Sequence, residues 1–253
     1  MRDIKHINIE KLIQGFGLFF EAAPFNYCVI DDFLKEEIAV KIDSEFLDYD
    51  STEWLHYKSQ IEDKKTLNNW NKFPPCTYSL FSELNSSEFT LLLSKLTNKK
   101  LYSDPGLHGG GWHCHGNGGN LNPHLDYSIH PKIGLERAIN IIIYVSKDLR
   151  CDHGGYLGLW SNNPDKNLPL DLCKEIAPKF NRALIFDTTQ NSWHGISKPL
   201  SLPKNVYRKS LAIYYLTTPN LGADPRARAL FAPRKEQEGD KSIEEIILKR
   251  SVY

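Results

Sequence analysis

Between Gly106 and Thr218 the chain alternates short β-prone runs with clusters of turn residues, and this rhythm limits the folds open to it more than any other feature. The runs are Trp112–His115, Ile139–Val145, Tyr156–Trp160, Ala183–Phe186 and Leu211–Leu216. Gly116-Asn117-Gly118-Gly119, Asn162-Asn163-Pro164-Asp165 and Lys198-Pro199 punctuate the gaps. Glycine and asparagine tolerate the backbone angles of tight turns, and proline cannot donate to a strand ladder, so each cluster ends one strand and redirects the chain. Short strands with few helices among them predict a sandwich or jelly roll.

The first hundred residues read as mixed and mainly helical. Asp31-Asp32-Phe33-Leu34 follows the β-prone run Tyr27–Ile30, and an Asp there caps a helix with Glu36 and Glu37 in its first turn. Ile38, Ile42, Phe46 and Leu47 recur at helical spacing, as do Phe89, Leu92, Leu93 and Leu96 within Ser87–Leu96. Asn68 to Pro75 reads as an irregular loop. Ile243, Ile246 and Ile247 predict a C-terminal helix over Asp240–Val252, packed on the β core or on a partner subunit. The expected architecture is mainly β with helical support, in a single domain over 1–253. Residues 1–105 form the support, 106–218 the jelly-roll core, and 219–253 a tail with its helix.

Composition narrows the setting. Lys plus Arg and Asp plus Glu are 31 each, a net charge of zero, so no global field holds a polyanion and a dedicated nucleic-acid binder is disfavoured. The five cysteines are an odd number without a C-x-x-C pair, which fits reduced thiols in the cytoplasm. Met1–Glu10 lacks an apolar signal-peptide core, and Ile139–Val145, interrupted by Asn140, is too short to span a bilayer. A cytoplasmic protein with no nucleic-acid or membrane partner is expected.

The segment that points to chemistry is Asn122-Pro123-His124-Leu125-Asp126. On a strand, residues i and i+2 face the same side, so His124 and Asp126 can aim at one point. Alone, H-x-D recurs by chance and more often marks a solvated loop pair. Two imidazoles and one carboxylate, however, make the facial triad of non-haem Fe(II) oxygenases, and His194, just past the apolar run Ala183–Phe186, is the candidate second imidazole. Further on, Arg208 and Ser210 share a strand face, where a guanidinium fork beside a hydroxyl suits the far carboxylate of a dicarboxylate ligand. The ordered set H-x-D, H, R-x-S is far more specific than its parts.

The stretch from His124 to Tyr215, rather less than half of the chain, resembles the 2-oxoglutarate/Fe(II)-dependent oxygenases, in their prolyl-hydroxylase-like branch. The matching pieces are His124-Leu125-Asp126, Asn140–Ser146, Gly154–Trp160, Ala177–Phe186, Trp193-His194-Gly195 and Arg208-Lys209-Ser210. The resemblance implies a double-stranded β-helix, with Fe(II), 2-oxoglutarate and O₂ as cofactor and cosubstrates. It makes His124, Asp126 and His194 the catalytic metal ligands, and Arg208 the partner of the 2-oxoglutarate C5 carboxylate, helped by Ser210 and Tyr144. It also suggests Asn140 and His115 as cosubstrate or substrate contacts, with Asn140, Ile142 and Tyr144 on one interior face. Asp126 fills the position that halogenating relatives leave small, so hydroxylation is implied. Tyr214 stands where the nucleic-acid demethylase branch has a second arginine, which weakens a base-repair reading.

His113 and His115 form an H-x-H pair that could itself bind metal. A zinc hydrolase using His113, His115, His124 and Asp126 is therefore an alternative, although it leaves Arg208 unexplained. An inactive jelly-roll binding module is another, although such relatives usually lose a ligand. His108, His130 and His153 read as loop histidines, two of them at the surface, and Asn162 to Lys179 reads as a lid or substrate loop. The substrate is a small molecule or a side chain of unspecified kind. A homodimer through the C-terminal helix is open.

Overall fold

A strand of four to ten residues cannot bury its apolar face alone, so such strands must pair and stack. The fold is that of a computed structural model, which describes residues 4–252; Met1–Asp3, part of the N-terminal stretch read above, and Tyr253 lie outside the described residues. In chain order the elements are α1 (Ile9–Gly15), β1 (Tyr27–Ile30), α2 (Glu36–Glu45), β2 (Leu55–Lys58), β3 (Glu62–Leu67), α3 (Pro75–Leu84), α4 (Ser87–Thr97), β4 (Tyr102–Ser103) and β5 (Gly111–His115). There follow β6 (Asn120–Leu121), β7 (His124–Leu125), β8 (Glu136–Tyr144), β9 (Leu157–Asn163), β10 (Leu168–Ile176), β11 (Arg182–Asp187), β12 (His194–Ile196), β13 (Arg208–Thr217), β14 (Leu230–Phe231) and α5 (Lys241–Val252). One sheet of nine strands runs β1-β11-β8-β13-β5-β3-β2, with β4 on β13 and β6 on β3. A second, of five strands, runs β10-β9-β12-β7-β14. This is the double-stranded β-helix that the resemblance implies, one of the two architectures the strand rhythm left open. Among the described residues no helix is long and apolar enough to cross a membrane.

Period-2 alternation divides the large sheet into two chemically different faces. Trp112 and Cys114 of β5, Ile139, Ile141 and Ile143 of β8, and Leu211, Ile213 and Tyr215 of β13 join one core with Ala39 and Ile42 of α2, Leu80, Phe81 and Leu84 of α3, and Phe89 and Leu93 of α4. The helices thus plate one face. The other face looks toward the second sheet. Part of that interior is apolar, through Leu157, Leu159, Leu184 and Phe186, and the remainder carries the polar residues that matter for function.

Two motifs far apart in sequence prove to be one device. Asn181, at φ 58°, places its side chain against the corner before α2, where its Oδ1 accepts from Leu34 N at 2.9 Å and its Nδ2 donates to Leu34 O at 2.8 Å. Arg182 meets Asp31 through two nitrogens at 2.6 and 2.9 Å, a fork on a carboxylate. The Asp31–Leu34 corner therefore docks the helical layer on the start of β11.

Several sequence expectations need correction. The supposed loop Asn162–Lys179 is mostly a β9–β10 hairpin with two register shifts; β10 lies largely in solvent, so its pairing rather than burial makes it a strand. The N-terminal hundred residues also supply the β2–β3 hairpin, whose Lys65, Thr66 and Leu67 pair with Cys114, His113 and Trp112 of β5. Glu-Asp-Lys-Lys-Thr-Leu carries no apolar alternation, so only its neighbour reveals it. The helix α3 also went unread, although Thr77, Leu80, Phe81 and Leu84 lie on its buried side behind Pro75. The C-terminal isoleucines pack within their own chain, with Ile243 buried against Ile61 and Phe231 and Ile246 and Ile247 beside it.

Replacing Asn181 by Ala removes two buried hydrogen bonds and leaves a Cβ-bearing residue without polar compensation at positive φ, a loss of about 3 kcal/mol. Asn181→Gly relieves the backbone and should recover about 1 kcal/mol of it. Urea unfolding of the three proteins checks the order, and equal midpoints for Ala and wild type would refute the clamp.

Candidate active site

The two histidines named by the sequence are cross-strand partners, His194 of β12 lying directly opposite His124 of β7, with ring centroids 4.3 Å apart. Asp126 sits just beyond the end of β7. Its Oδ1 lies 3.9 Å from His124 Nε2 and its Oδ2 lies 3.8 Å from His194 Nε2. The three donors fall within 4.8 Å of one another, and among the described residues they are the one such group. His113 and His115 stand outside it, so the zinc-site alternative loses its ligand set.

The rest of each imidazole fixes its role. His124 Nδ1 lies 3.0 Å from Asn122 O, and His194 Nδ1 lies 2.8 Å from Ser192 O. Each carbonyl accepts a hydrogen bond from Nδ1–H, which leaves both Nε2 lone pairs facing the carboxylate, the arrangement metal-binding histidines require. Phe231 stacks on His124 and Phe186 packs edge-on to His194, which holds the rings. Gly195 allows β12 to come this close, since a Cβ there would lie 2.6 Å from Asn122 O. Burial, then the neighbouring His194, pushes the His124 imidazole down to about 3, and burial lowers His194 as well. Both are neutral ligands at ordinary pH.

Asp126 is the costly member, because burial alone would protonate it. Opposing that burial, Arg137 first and then the two imidazoles hold the carboxyl down to about 2. Arg137 Nη1 stands 3.2 Å from Oδ1, Tyr214 donates to the same oxygen at 3.3 Å, and Asn140 Nδ2 donates to Oδ2 at 3.3 Å. Arg137 is itself clamped, its guanidinium 3.3 Å from the ring centroids of both Tyr127 and Tyr214 and its Nη2 bonded to His108 O at 2.8 Å. Sequence reasoning missed Arg137, which in one dimension is only a charge at the start of an apolar strand. It gave Tyr214 no role beyond its mismatch with another branch.

The second cluster lies on the cavity face of β13, β8 and β5. Register places Arg208 opposite His115, and Ser210 opposite both His113 and Tyr144. Asn140, Ile142 and Tyr144 share this face, as expected. Arg208 is buried; its Nε donates to Gly155 O at 2.9 Å and its Nη2 reaches the Tyr144 hydroxyl at 3.4 Å. No carboxylate among the described residues pairs with it. His115 is buried with both ring nitrogens unpartnered, and Asn140 Oδ1 is unpartnered too. A cavity of about 500 Å³ connects His115, Asn140, Arg208 and Ser210 with the triad. An unpaired buried guanidinium and orphaned polar atoms call for a charged ligand. Two imidazoles, one carboxylate and an open side fit ferrous iron, and the guanidinium beyond fits a chelating 2-oxo acid with a distal carboxylate.

The remaining histidines correct one expectation. His130 and His153 are buried rather than at the surface: His130 Nε2 lies 3.7 Å from Asp104, and His153 Nδ1 accepts from Arg150 N at 3.1 Å. His108 borders the cavity.

Two outcomes follow from this geometry. Arg137→Met should weaken binding of Fe(II) or Mn(II) to the purified protein by about 10- to 100-fold, read by titration calorimetry, since the carboxylate loses the group that keeps it ionised and aimed; unchanged affinity would contradict the role. Acid should also unfold the metal-free protein early. His113 and His124 are held at about 3, and His115 and His194 are lowered, chiefly by burial, so unfolding below pH 6.5 takes up protons. Stability then falls as pH drops below about 6.5, with Asp126 adding its own loss from the ordinary carboxylate range down to about pH 2. A urea midpoint that stays flat from about pH 7.5 to about pH 5 would be inconsistent with neutral buried imidazoles.

Residues 110–216 match the model of the 2OG-Fe(II) oxygenase superfamily. Among solved structures, a Trichoplax adhaerens prolyl hydroxylase, in complex with a peptide fragment of the hypoxia inducible factor oxygen degradation domain, superposes with TM-score 0.51 at 19% identity over 82% of this chain and 90% of its own. A Pseudomonas putida prolyl-4-hydroxylase gives 0.52 at 12% identity over 82% of this chain and 100% of its own. HygX from Streptomyces hygroscopicus, with nickel, 2-oxoglutarate and hygromycin B bound, gives 0.53 at 13% over 83% and 87%. No curated protein matches the chain by sequence. Triad, strand order and family match agree: residues 110–216 are similar to the 2OG-Fe(II) oxygenase superfamily, and the fold is prolyl-hydroxylase-like.

Proposed function

We propose that the protein is a 2-oxoglutarate-dependent dioxygenase that hydroxylates a C–H bond and releases succinate and CO₂. The observation that carries this reading is the pairing, in one cavity, of a preformed His124-Asp126-His194 triad with a buried Arg208 that lacks a carboxylate partner. Ferrous iron with 2-oxoglutarate and O₂ supplies the oxidising chemistry, one oxygen atom passing to the substrate and the other to succinate.

The chain's own residues prepare for that chemistry. His124, His194 and Asp126 would hold a ferrous ion, and the adjoining cavity would admit the cosubstrate and O₂. Arg208, backed by the Gly155 carbonyl and the Tyr144 hydroxyl, orients the cosubstrate through its far carboxylate, and Ser210 borders the same space. Both nitrogens of His115 are free to meet a polar group of the bound cosubstrate. Asn140, holding Asp126 through its amide nitrogen, keeps its oxygen for a ligand. The ionised Asp126 occupies the place a halide would need, which favours hydroxylation. All three donors are present and preoriented, which weighs against an inactive binding module.

We propose further that 1–253 acts as one unit, because β1, β2 and β3 lie in the same sheet as β8 and β13 while α5 packs on Ile61 and Phe231. A cytoplasmic setting is supported by the five cysteines, all unpaired. The substrate is a small molecule or a peptide side chain.

Purified protein with Fe(II) and 2-oxoglutarate should release succinate, and His124→Ala and Asp126→Ala should abolish it. Arg208→Gln should raise the KM for 2-oxoglutarate by about tenfold or more while metal binding persists. Succinate formation surviving in either triad variant would end the assignment.

A further inference from the structure

The chain as a whole is neutral, yet its cavity is not. The charged side chains in the cavity wall are Lys64, Arg137, Arg208, Arg228 and Arg250 against Glu62 and Asp126. Arg137 is matched to Asp126, and Arg208 is reserved for the cosubstrate on the reading above. Three cations then remain around the mouth, Lys64, Arg228 and Arg250, against Glu62 alone.

These groups are arranged rather than scattered. Glu62 of β3 is buried, and its two oxygens hold Lys64 Nζ at 2.9 Å and Arg250 Nη2 of α5 at 3.2 Å. Burial works against the Glu62 carboxylate, but Lys64 and Arg250 keep it ionised. Both cations also stand over the Tyr57 ring, at 5.7 Å and 5.0 Å. Arg250 lies 5.9 Å from the Phe231 ring, and Phe231 stacks on the metal ligand His124 with centroids 5.1 Å apart. Lys64 lines the same cavity as His124 and Asp126. Glu62 brings one negative charge to two cations, and Arg228 is exposed with no ion pair among the described residues. A charge surplus held over aromatic walls, one ring away from the metal, is an anion seat.

We propose that the substrate carries a carboxylate or phosphate group, which binds between Arg250, Lys64 and Arg228 at the cavity mouth and so presents a C–H bond to the metal past Tyr57 and Phe231. This rests on the oxygenase reading and goes beyond it by assigning the charge of the substrate. Arg250 and Lys64 act as binding and specificity residues.

The test separates the two claims. Succinate release by the wild-type protein with Fe(II) and 2-oxoglutarate alone tests the oxygenase reading, and its complete absence would sink that reading and this proposal with it. Given release, cell extract is split on an anion exchanger at neutral pH and each fraction is assayed for stimulated succinate formation and for an oxygenated product. Stimulation by the retained fraction is expected, and stimulation confined to the flow-through would overturn the anion seat while leaving the oxygenase intact. Loss of stimulation after phosphatase treatment identifies a phosphate, and loss after methyl esterification identifies a carboxylate. For the retained fraction, Arg250→Gln and Lys64→Gln should each raise KM by about tenfold with a smaller effect on kcat, and Arg250→Lys should recover most of the loss. Added NaCl should raise KM for wild type. If Arg250 merely pins α5 to β3, Arg250→Gln shifts the unfolding midpoint without moving KM. That outcome in both variants would also refute the proposal.

Discussion

A carboxylate enclosed by protein stays charged only if something nearby compensates it, and in this fold the main compensation is one arginine, Arg137. Arg137 reaches Asp126 at 3.2 Å while lying between the faces of Tyr127 and Tyr214. Each ring offers its negative face to the guanidinium and excludes water from it, so the cation is immobilised without an acid on its far side. Asp126 can then be largely enclosed and still ionised, and the two neutral imidazoles beside it remain ligands rather than acids. Without Arg137, burial would favour the protonated carboxyl more strongly.

The sheet makes that enclosure possible. Because β8 and β13 are covered on one side by α2, α3 and α4, their outward residues are as apolar as any core, and their inward residues are free to be polar. Ile139, Ile141 and Ile143 face the helices while Asn140, Ile142 and Tyr144 face the cavity, which is why the strand reads as an apolar run broken by single polar residues. The Asp31–Arg182 pair and the Asn181 clamp hold the helical layer in place. The positions of Asp126 and Arg208 therefore depend on contacts made by residues that never approach a ligand.

Much of the site was legible before the fold was known. His124, Asp126, His194 and Arg208 stand in a chemically unusual order, and the strand periodicity that points His124 and Asp126 one way is local. Arg137, Glu62 and Lys64 carried no such signal. Arg137 looks like a strand terminus, and Glu62-Asp63-Lys64-Lys65 looks like a solvated loop, because nothing along the chain says that Tyr127 and Tyr214 will close on one or that β5 will pair with the other. The β10 hairpin shows the same limit in reverse. Its leucines alternate at Leu168, Leu170 and Leu172, but they are exposed, so the pattern marks a strand without marking a core.

By itself, then, the sequence determined the strand rhythm, the two chemical motifs and the turns between them, since these depend on backbone preferences and on side-chain types at short spacing. Tertiary structure alone decided which charge compensates which. His194 meets His124 through a two-strand register, Arg137 meets Asp126 across a strand crossing, and Arg250 meets Glu62 from the far end of the chain. Electrostatic pairing acts through space and is blind to sequence separation, so no local reading can assign partners that only packing brings within a few ångströms.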